Sequence, residues 1–336
     1  MSYFHLNLIL KGKLTVCCLL MLSVIPLNAQ REAKQIGDFK ESISLNEHLR
    51  GTKRTLQYCP DGDEFVCVNG KNRYTRALYG SHSPFRVETS DRPVFAFYNN
   101  GRGGNISFKV ILRDGTELAL DRTGYCESRY SAGKRTYYLT DPSWGKGELR
   151  ISVLALADMD GAIWRFSPSN MPKGAILRWQ HGGATGKRLS RNGDMGVDPA
   201  DCFELPAEAT DLVTGELALQ KEVYLVRGEV PEGYNVRKLY QQAEAASLAL
   251  ASHLKIETPD PYLNTLGGAL VAAADGIWDG QVWLHGAIGW RMPLSGWRAG
   301  YTGDALGWHD RARTHFDAYA ASQVTDVPNT IPHPAQ

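Results

Sequence analysis

The apolar pattern of this chain changes period once, and that change constrains the fold more than any motif in it. From about Thr55 to Arg227 apolar residues alternate with polar ones, and Gly, Pro, Asn or Asp breaks the pattern every 8 to 15 residues. Alternation with period two buries one face of a strand and leaves the other wet. The clearest runs are Val94 to Tyr98, Ile106 to Leu112, Thr136 to Thr140, Leu149 to Ala157, Ala162 to Phe166, Ala175 to His181 and Glu216 to Val226. In the Ala175 run, Ala175, Leu177 and Trp179 form an apolar face against Ile176, Arg178 and Gln180. No helix-period segment of useful length interrupts these strands. A parallel sheet with crossover helices is therefore excluded, and a two-layer antiparallel β-sandwich is expected.

At Asn235 the spacing becomes helical. Leu239, Ala243, Ala246, Leu250 and Leu254 fall on one stripe, with Asn235 as the cap and Thr258 to Pro261 as the stop. Asp260 before Pro261 reads as an N-cap with proline in the first turn, opening a second helix with Leu263, Leu266, Leu270, Ala274 and Ile277 inward. A third helix is predicted from near Asp304 to Ser322, with Ala305, Ala312, Phe316 and Tyr319 inward. The expected organisation is a sandwich over 30–230, a linker helix over 231–259 and a helical hairpin over 260–336. A lone amphipathic hairpin cannot bury both faces, so it either packs on the sandwich or opens a larger helical domain.

The N-terminus bears on location. Lys11 and Lys13 precede an uncharged run from Leu14 to Leu27, and Ala29 offers a small residue before Gln30. Basic, apolar and small residues in that order predict a cleavable signal peptide over residues 1–29. The 14-residue run is shorter than the roughly 20 residues a membrane-spanning helix needs, so no stable membrane anchor is expected. Cys17 and Cys18 lie inside the apolar run rather than at the cleavage point, which argues against lipid attachment. Cleavage leaves 35 basic and 36 acidic side chains, a formal charge of −1 that gives no footprint for nucleic acid.

Cys59, Cys67, Cys126 and Cys202 remain after cleavage. In a hairpin looped through Pro60, Asp61, Gly62 and Asp63, Cys59 would face Glu64 and Cys67 would face Leu56, so this pair is poorly placed for a bridge. The spacings match no zinc pattern and the density is too low for a disulfide scaffold. Mostly buried thiols are expected, with room for one long-range disulfide, and no metal or cofactor.

Chemistry concentrates in Trp278 to Asp310. Five of the eight tryptophans lie there (Trp278, Trp283, Trp290, Trp297 and Trp308), with Tyr301, His285, His309, Arg291, Arg298, Asp279, Asp304 and Asp310. Eight glycines between 276 and 307 are expected to keep much of the segment irregular. Rings that pack on the C–H faces of sugars, beside charged groups that bind hydroxyls, suit a carbohydrate ligand. Each tryptophan reads equally as core. Asp304 serves either as a helix N-cap or as a sugar ligand, and Asp310 and Arg313 also read as an exposed helix face. Glycosidic cleavage generally takes two carboxyl groups, about 5–5.5 Å apart for retention or about 6.5–9.5 Å for inversion, and spacing alone assigns no pair. His181 to Lys187 fails the phosphate-loop pattern at its first glycine and at Arg188.

The stretch Asn72 to Gly80 (NRYTRALYG) and the stretch Gly289 to Gln323 (GWRMPLSGWRAGYTGDALGWHDRARTHFDAYAASQ) resemble an uncharacterised family of exported Bacteroidetes proteins. The order of sandwich, connecting helix and helical hairpin is in turn similar to six-hairpin, (α/α)6-toroid glycoside hydrolases. The resemblance implies a glycosidase-like protein acting on complex glycans in the periplasm or at the cell surface of a Gram-negative envelope. Its partner would be an oligosaccharide or polysaccharide. Asp304 and Asp310 would be the acids, Trp297, Tyr301 and Trp308 the stacking platforms, and Arg291, Arg298 and His309 the groups gripping the sugar. A toroid needs twelve helices, of which about two fit after Asp260. The expectation is therefore an N-terminal portion lacking most of the catalytic toroid, the alternative being a non-catalytic glycan-binding module.

Overall fold

A computed structural model describes residues 57–71, 74–83, 85–99, 102–182, 212–284 and 293–323. The expected signal peptide, Cys202 and the segment from His285 to Arg291 lie outside these residues.

The described strands build two sheets in which every ladder is antiparallel. The first runs β1 (Cys59–Asp61), β2 (Glu64–Val68), β8 (Tyr125–Ser131), β9 (Lys134–Thr140), β10 (Glu148–Ala155), β11 (Gly161–Ser169), β14 (Val223–Gly228). The second runs β13 (Val213–Ala218), β12 (Ile176–Gly182), β6 (Arg102–Ile111), β5 (Phe95–Asn99), β4 (Arg86–Ser90), β3 (Tyr74–Leu78), with β7 (Glu117–Ala119) beside β6.

Aromatic rings hold the two sheets face to face. Phe95 of the second sheet meets Tyr137 and Trp164 of the first edge-on, with ring centroids 5.7 and 5.5 Å away. Phe108 meets Phe166 at 5.1 Å. All five side chains are buried. Each such pair adds about 0.5–1.5 kcal/mol beyond the area it buries. Arg135 lies inside the same interior, where its guanidinium donates to Tyr58 Oη at 2.7 Å, Ser128 Oγ at 3.0 Å and the Ser90 carbonyl at 3.1 Å.

The first hairpin is tighter than expected. Asp61 pairs with Glu64 across Gly62 and Asp63, so Cys59 lies opposite Val66 rather than Glu64. Cys59, Cys67 and Cys126 take part in no disulfide among the described residues. Burial pushes the Cys67 thiol up to about 11 and that of Cys126 up to about 12, which keeps both protonated and unreactive. The run from Glu216 to Val226 also divides. Its first half belongs to β13 of the second sheet and its second half to β14 of the first, so the chain changes sheets at Gln220 and Lys221.

Four helices follow, α1 (Val236–Ala251), α2 (Pro261–Gly276), α3 (Pro293–Ala305) and α4 (His309–Ala321). Asn235 caps α1 by accepting from Lys238 N, and Asp260 caps α2 by accepting from Tyr262 N. The single helix expected over Asp304 to Ser322 is instead the end of α3 and all of α4. Gly307, at φ 81°, makes the break, and the residue at the α4 cap is Trp308 rather than Asp304. Glycines do not keep the aromatic segment irregular throughout, because Gly296, Gly300 and Gly303 lie within α3. None of the described helices is long and apolar enough to cross a membrane.

The helices dock on the sheets. Leu239, Tyr240 and Ala243 of α1 cover Leu154, Leu156 and Ile163. Tyr262, Leu266 and Ala269 of α2 pack against the inter-sheet core, and Thr265 Oγ1 donates to the Gly62 carbonyl at 2.8 Å. Leu263 and Leu270, expected to face inward, are each 46% exposed, because the buried side of α2 carries Thr265, Gly267, Val271 and Ala272.

Trp164, wholly buried on the first sheet and in contact with two rings of the second, sets the expected cost of a cavity there. Trp164→Ala is predicted to lower stability by about 3–5 kcal/mol in urea unfolding. A loss under about 1 kcal/mol would show that the two sheets do not share this core.

Candidate functional site

A cleft of about 260 Å³ opens where the sheets meet the helices. Its sheet wall comes from Tyr79 and His82 after β3, Tyr130 and Gly133 at the β8–β9 turn, and Ala155 and Ala157 after β10. Its helical wall comes from Ala243 and Ser247 of α1, Ala272 and Asp275 of α2, and Arg311 of α4. Small residues on α1 and α2 leave the space, and Asp275, His82 and Arg311 bring ionisable groups into its lining.

Asp275 is the centre of the site. Its Oδ1 accepts from Arg311 Nη1 at 2.7 Å and is hydrogen-bonded to His82 Nε2 at 3.1 Å. Burial opposes ionisation of this carboxyl, and the His82 and Arg311 contacts outweigh it, so its pKa lies below the ordinary carboxylate value. Helix electrostatics work against the arrangement. Asp275 sits in the last turn of α2, where carbonyls concentrate negative charge, and Arg311 sits in the first turn of α4, where amides concentrate positive charge. Each charge is at the unfavourable end of its helix and is compensated by the other. Local rules broken in this way mark a position held for something other than helix stability.

The surroundings fix both partners. The Ser81 and Ser83 hydroxyls donate to Asp160 Oδ1 at 2.6 and 2.5 Å, which pins the loop carrying His82. The Arg311 guanidinium lies 4.8 Å from the Trp308 ring centroid and 5.8 Å from that of Trp278. The Tyr79 ring lies across Gly276, where a Cβ would approach ring carbons to 2.2 Å, and burial pushes its phenol pKa up.

The residues singled out from sequence scatter around this cleft. Trp278 and Trp283 form a buried cluster with Ala312, against which Trp308 packs. Trp283 Nε1 donates to the Ala274 carbonyl, and its backbone N–H donates to Nδ1 of the buried His315 at 3.0 Å. Gly303 makes this seat, since a Cβ there would come within 2.0 Å of the Trp283 ring. Trp308 stacks on His253 at 5.3 Å, and the His253 ring also bonds to the Leu306 carbonyl. These three tryptophans are thus chiefly core and support. Tyr301 is 61% exposed beside Phe316. Asp304 and His309 pair at 2.6 Å on the surface. Asp310 points into solvent with Arg313 at 3.8 Å, and Arg298 is exposed on α3. Arg291 and the Trp297 side chain lie outside the described residues.

Sequence reasoning missed Asp275, His82 and Arg311. Arg311 is one residue past the aromatic segment and Asp275 three before it, but His82 lies 193 residues from Asp275, and no local pattern connects them.

The chain is thus a protein of two antiparallel sheets and C-terminal helices among its described residues, with a cleft at their junction. Residues 100–230 match the family described as a domain of unknown function, DUF4450, a span from β6 to β14 that takes in the β8–β9 and β10 parts of the cleft wall. No curated protein matches the chain.

The depressed pKa of Asp275 sets a pH signature. Its ionised form contributes stability above the unfolded-state value of about 3.9, and that contribution is lost as pH falls through the lower folded-state value. Asp275→Asn is predicted to be less stable than wild type at about pH 7, with the gap closing as pH falls toward about 3. A gap that stays constant over that range would show the carboxylate is not held in its charged form.

Proposed function

We propose that this protein handles complex glycans, in an architecture like the leading part of a six-hairpin glycoside hydrolase, and that a sugar unit rests in the cleft around Asp275. The carrying observation is the ionised Asp275, held by His82 and Arg311 at the mouth of an open space between sheets and helices. Sugar hydroxyls are met well by fixed charged acceptors and donors, which here are already oriented and do not have to be ordered on binding. The order of sheets, connecting helix and paired helices supports the hydrolase-like reading. So do Leu263 and Leu270, the kind of apolar face that the first hairpin of an (α/α)6 toroid offers to the next. On this reading residues 1–29 direct export, and the glycan is met in the periplasm or at the cell surface.

A second reading, binding without cleavage, is favoured by a specific observation. Among the described residues lining the cleft, Asp275 is the only carboxylate, and it is engaged by Arg311. Asp304 and Asp310 are not among the residues lining the cleft and pair with His309 and Arg313 on the surface. Two carboxyl groups about 5–9.5 Å apart are the usual requirement for hydrolysis.

Calorimetric titration of the full chain with neutral oligosaccharides, combined with an assay for new reducing ends, tests both readings. Binding is expected, with a loss of about tenfold or more in Asp275→Ala and in His82→Ala. Equal affinity in both variants would place the sugar elsewhere. Release of reducing sugar by this chain would overturn binding without cleavage and return the assignment to a hydrolase.

A further inference from the structure

The outward face of the first sheet carries a strip of arginines and tyrosines that the cleft does not use. Arg129 and Arg150 both lie over the Tyr138 ring, 5.8 and 5.3 Å from its centroid. Arg165 lies 4.4 Å from the centroid of Tyr240, which meets Tyr224 edge-on at 5.8 Å. Strand register places these side chains in neighbouring rows. Arg150 is opposite Tyr138 on one side and Ser167 on the other, and Arg165 is opposite Ser152 and Tyr224. Arg150 and Arg165 are thus diagonal neighbours on β10 and β11, with Cα atoms about 7–8 Å apart.

Their partners differ from those of Arg129. Arg129 is saturated by Asp61 at 2.8 Å, Glu64 at 3.0 Å and Glu127 at 2.5 Å. Two further acids on this face, Glu222 and Glu244, have other partners. Glu222 accepts from Tyr224 and Ser167 and pairs with Arg237, and Glu244 pairs with Lys134. Arg150 and Arg165 are left without a described carboxylate, and the Nε of each is buried with no hydrogen-bond partner among the described residues. Two uncompensated guanidinium groups, each laid against an aromatic ring, are a costly arrangement unless an anion completes it.

We propose that Arg150 and Arg165, walled by Tyr138 and Tyr240, form a second binding surface that takes the acidic group of a charged sugar. A uronate carboxylate or a sulfate ester would be gripped by the guanidinium forks. The acid-rich surroundings of Arg129 lie on the far side of Tyr138 and set the direction in which the ligand does not extend. The proposal rests on the glycan reading for its ligand class, and the ligand series below separates the two.

The full chain is titrated with an oligogalacturonate, a sulfated oligosaccharide and a neutral oligosaccharide of the same length. The acidic oligomers are expected to bind more tightly than the neutral one, with affinity falling as salt rises. Which of the two acidic oligomers binds tells carboxylate from sulfate. Arg150→Gln and Arg165→Gln are each expected to weaken acidic binding by about tenfold, with partial recovery in Arg150→Lys, which keeps charge and loses the fork. Unfolding midpoints measured on the same variants separate lost binding from lost folding. No acidic binding, or acidic affinity unchanged in both glutamine variants, overturns the proposal. Failure of the glycan reading has a different outcome, the absence of neutral-oligosaccharide binding to the wild-type cleft.

Discussion

Two charges placed at the unfavourable ends of their helices organise the cleft where sheets and helices meet. Asp275 faces the accumulated carbonyl dipoles of α2 and Arg311 the amide dipoles of α4, and neither position is stable for its charge alone. Their 2.7 Å contact makes both tolerable, and His82 brings the loop after β3 into the same arrangement. The cleft therefore has its shape because three separate segments must meet at one carboxylate. Half-buried pairs of this kind add little net stability over apolar packing, but removing one partner strands the other, so the geometry is held tightly even where its energetic gain is modest.

The frame beneath that contact is apolar and aromatic. Phe95, Phe108, Tyr137, Trp164 and Phe166 lock the two sheets, while the outer face of the first sheet is partly covered by α1. The same outer face changes character along its strands, from the aliphatic Leu154 and Ile163 under α1 to the guanidinium and phenol groups of Arg150, Arg165 and Tyr138. One sheet thus presents an apolar dock and a charged strip without any break in its ladder.

What was legible in the sequence was local. Period-two runs located β5, β6 and β9 to β14, and Asn235 and Asp260 the starts of α1 and α2, because alternation and capping act over a few residues. Sheet membership was not legible, since Glu216 to Val226 reads as one run although it crosses from one sheet to the other around its polar stretch Gln220 to Glu222. The aromatic segment was found but its geometry was not. Density of tryptophan looks the same whether rings face solvent or core, and only the absence of a side chain at Gly303, which seats Trp283, decides the matter. His82 and Asp275 became a site through tertiary contact alone.

The sequence separation within that contact carries a consequence for how the protein is made. The bond from His82 to Asp275 spans 193 residues and that from Thr265 to Gly62 spans 203. Contacts this distant repay their loop-closure entropy only after the intervening strands have paired. The cleft is therefore complete only when segments from the two ends of the described fold have met. Its geometry is thus a property of the whole described fold and of no single segment of it.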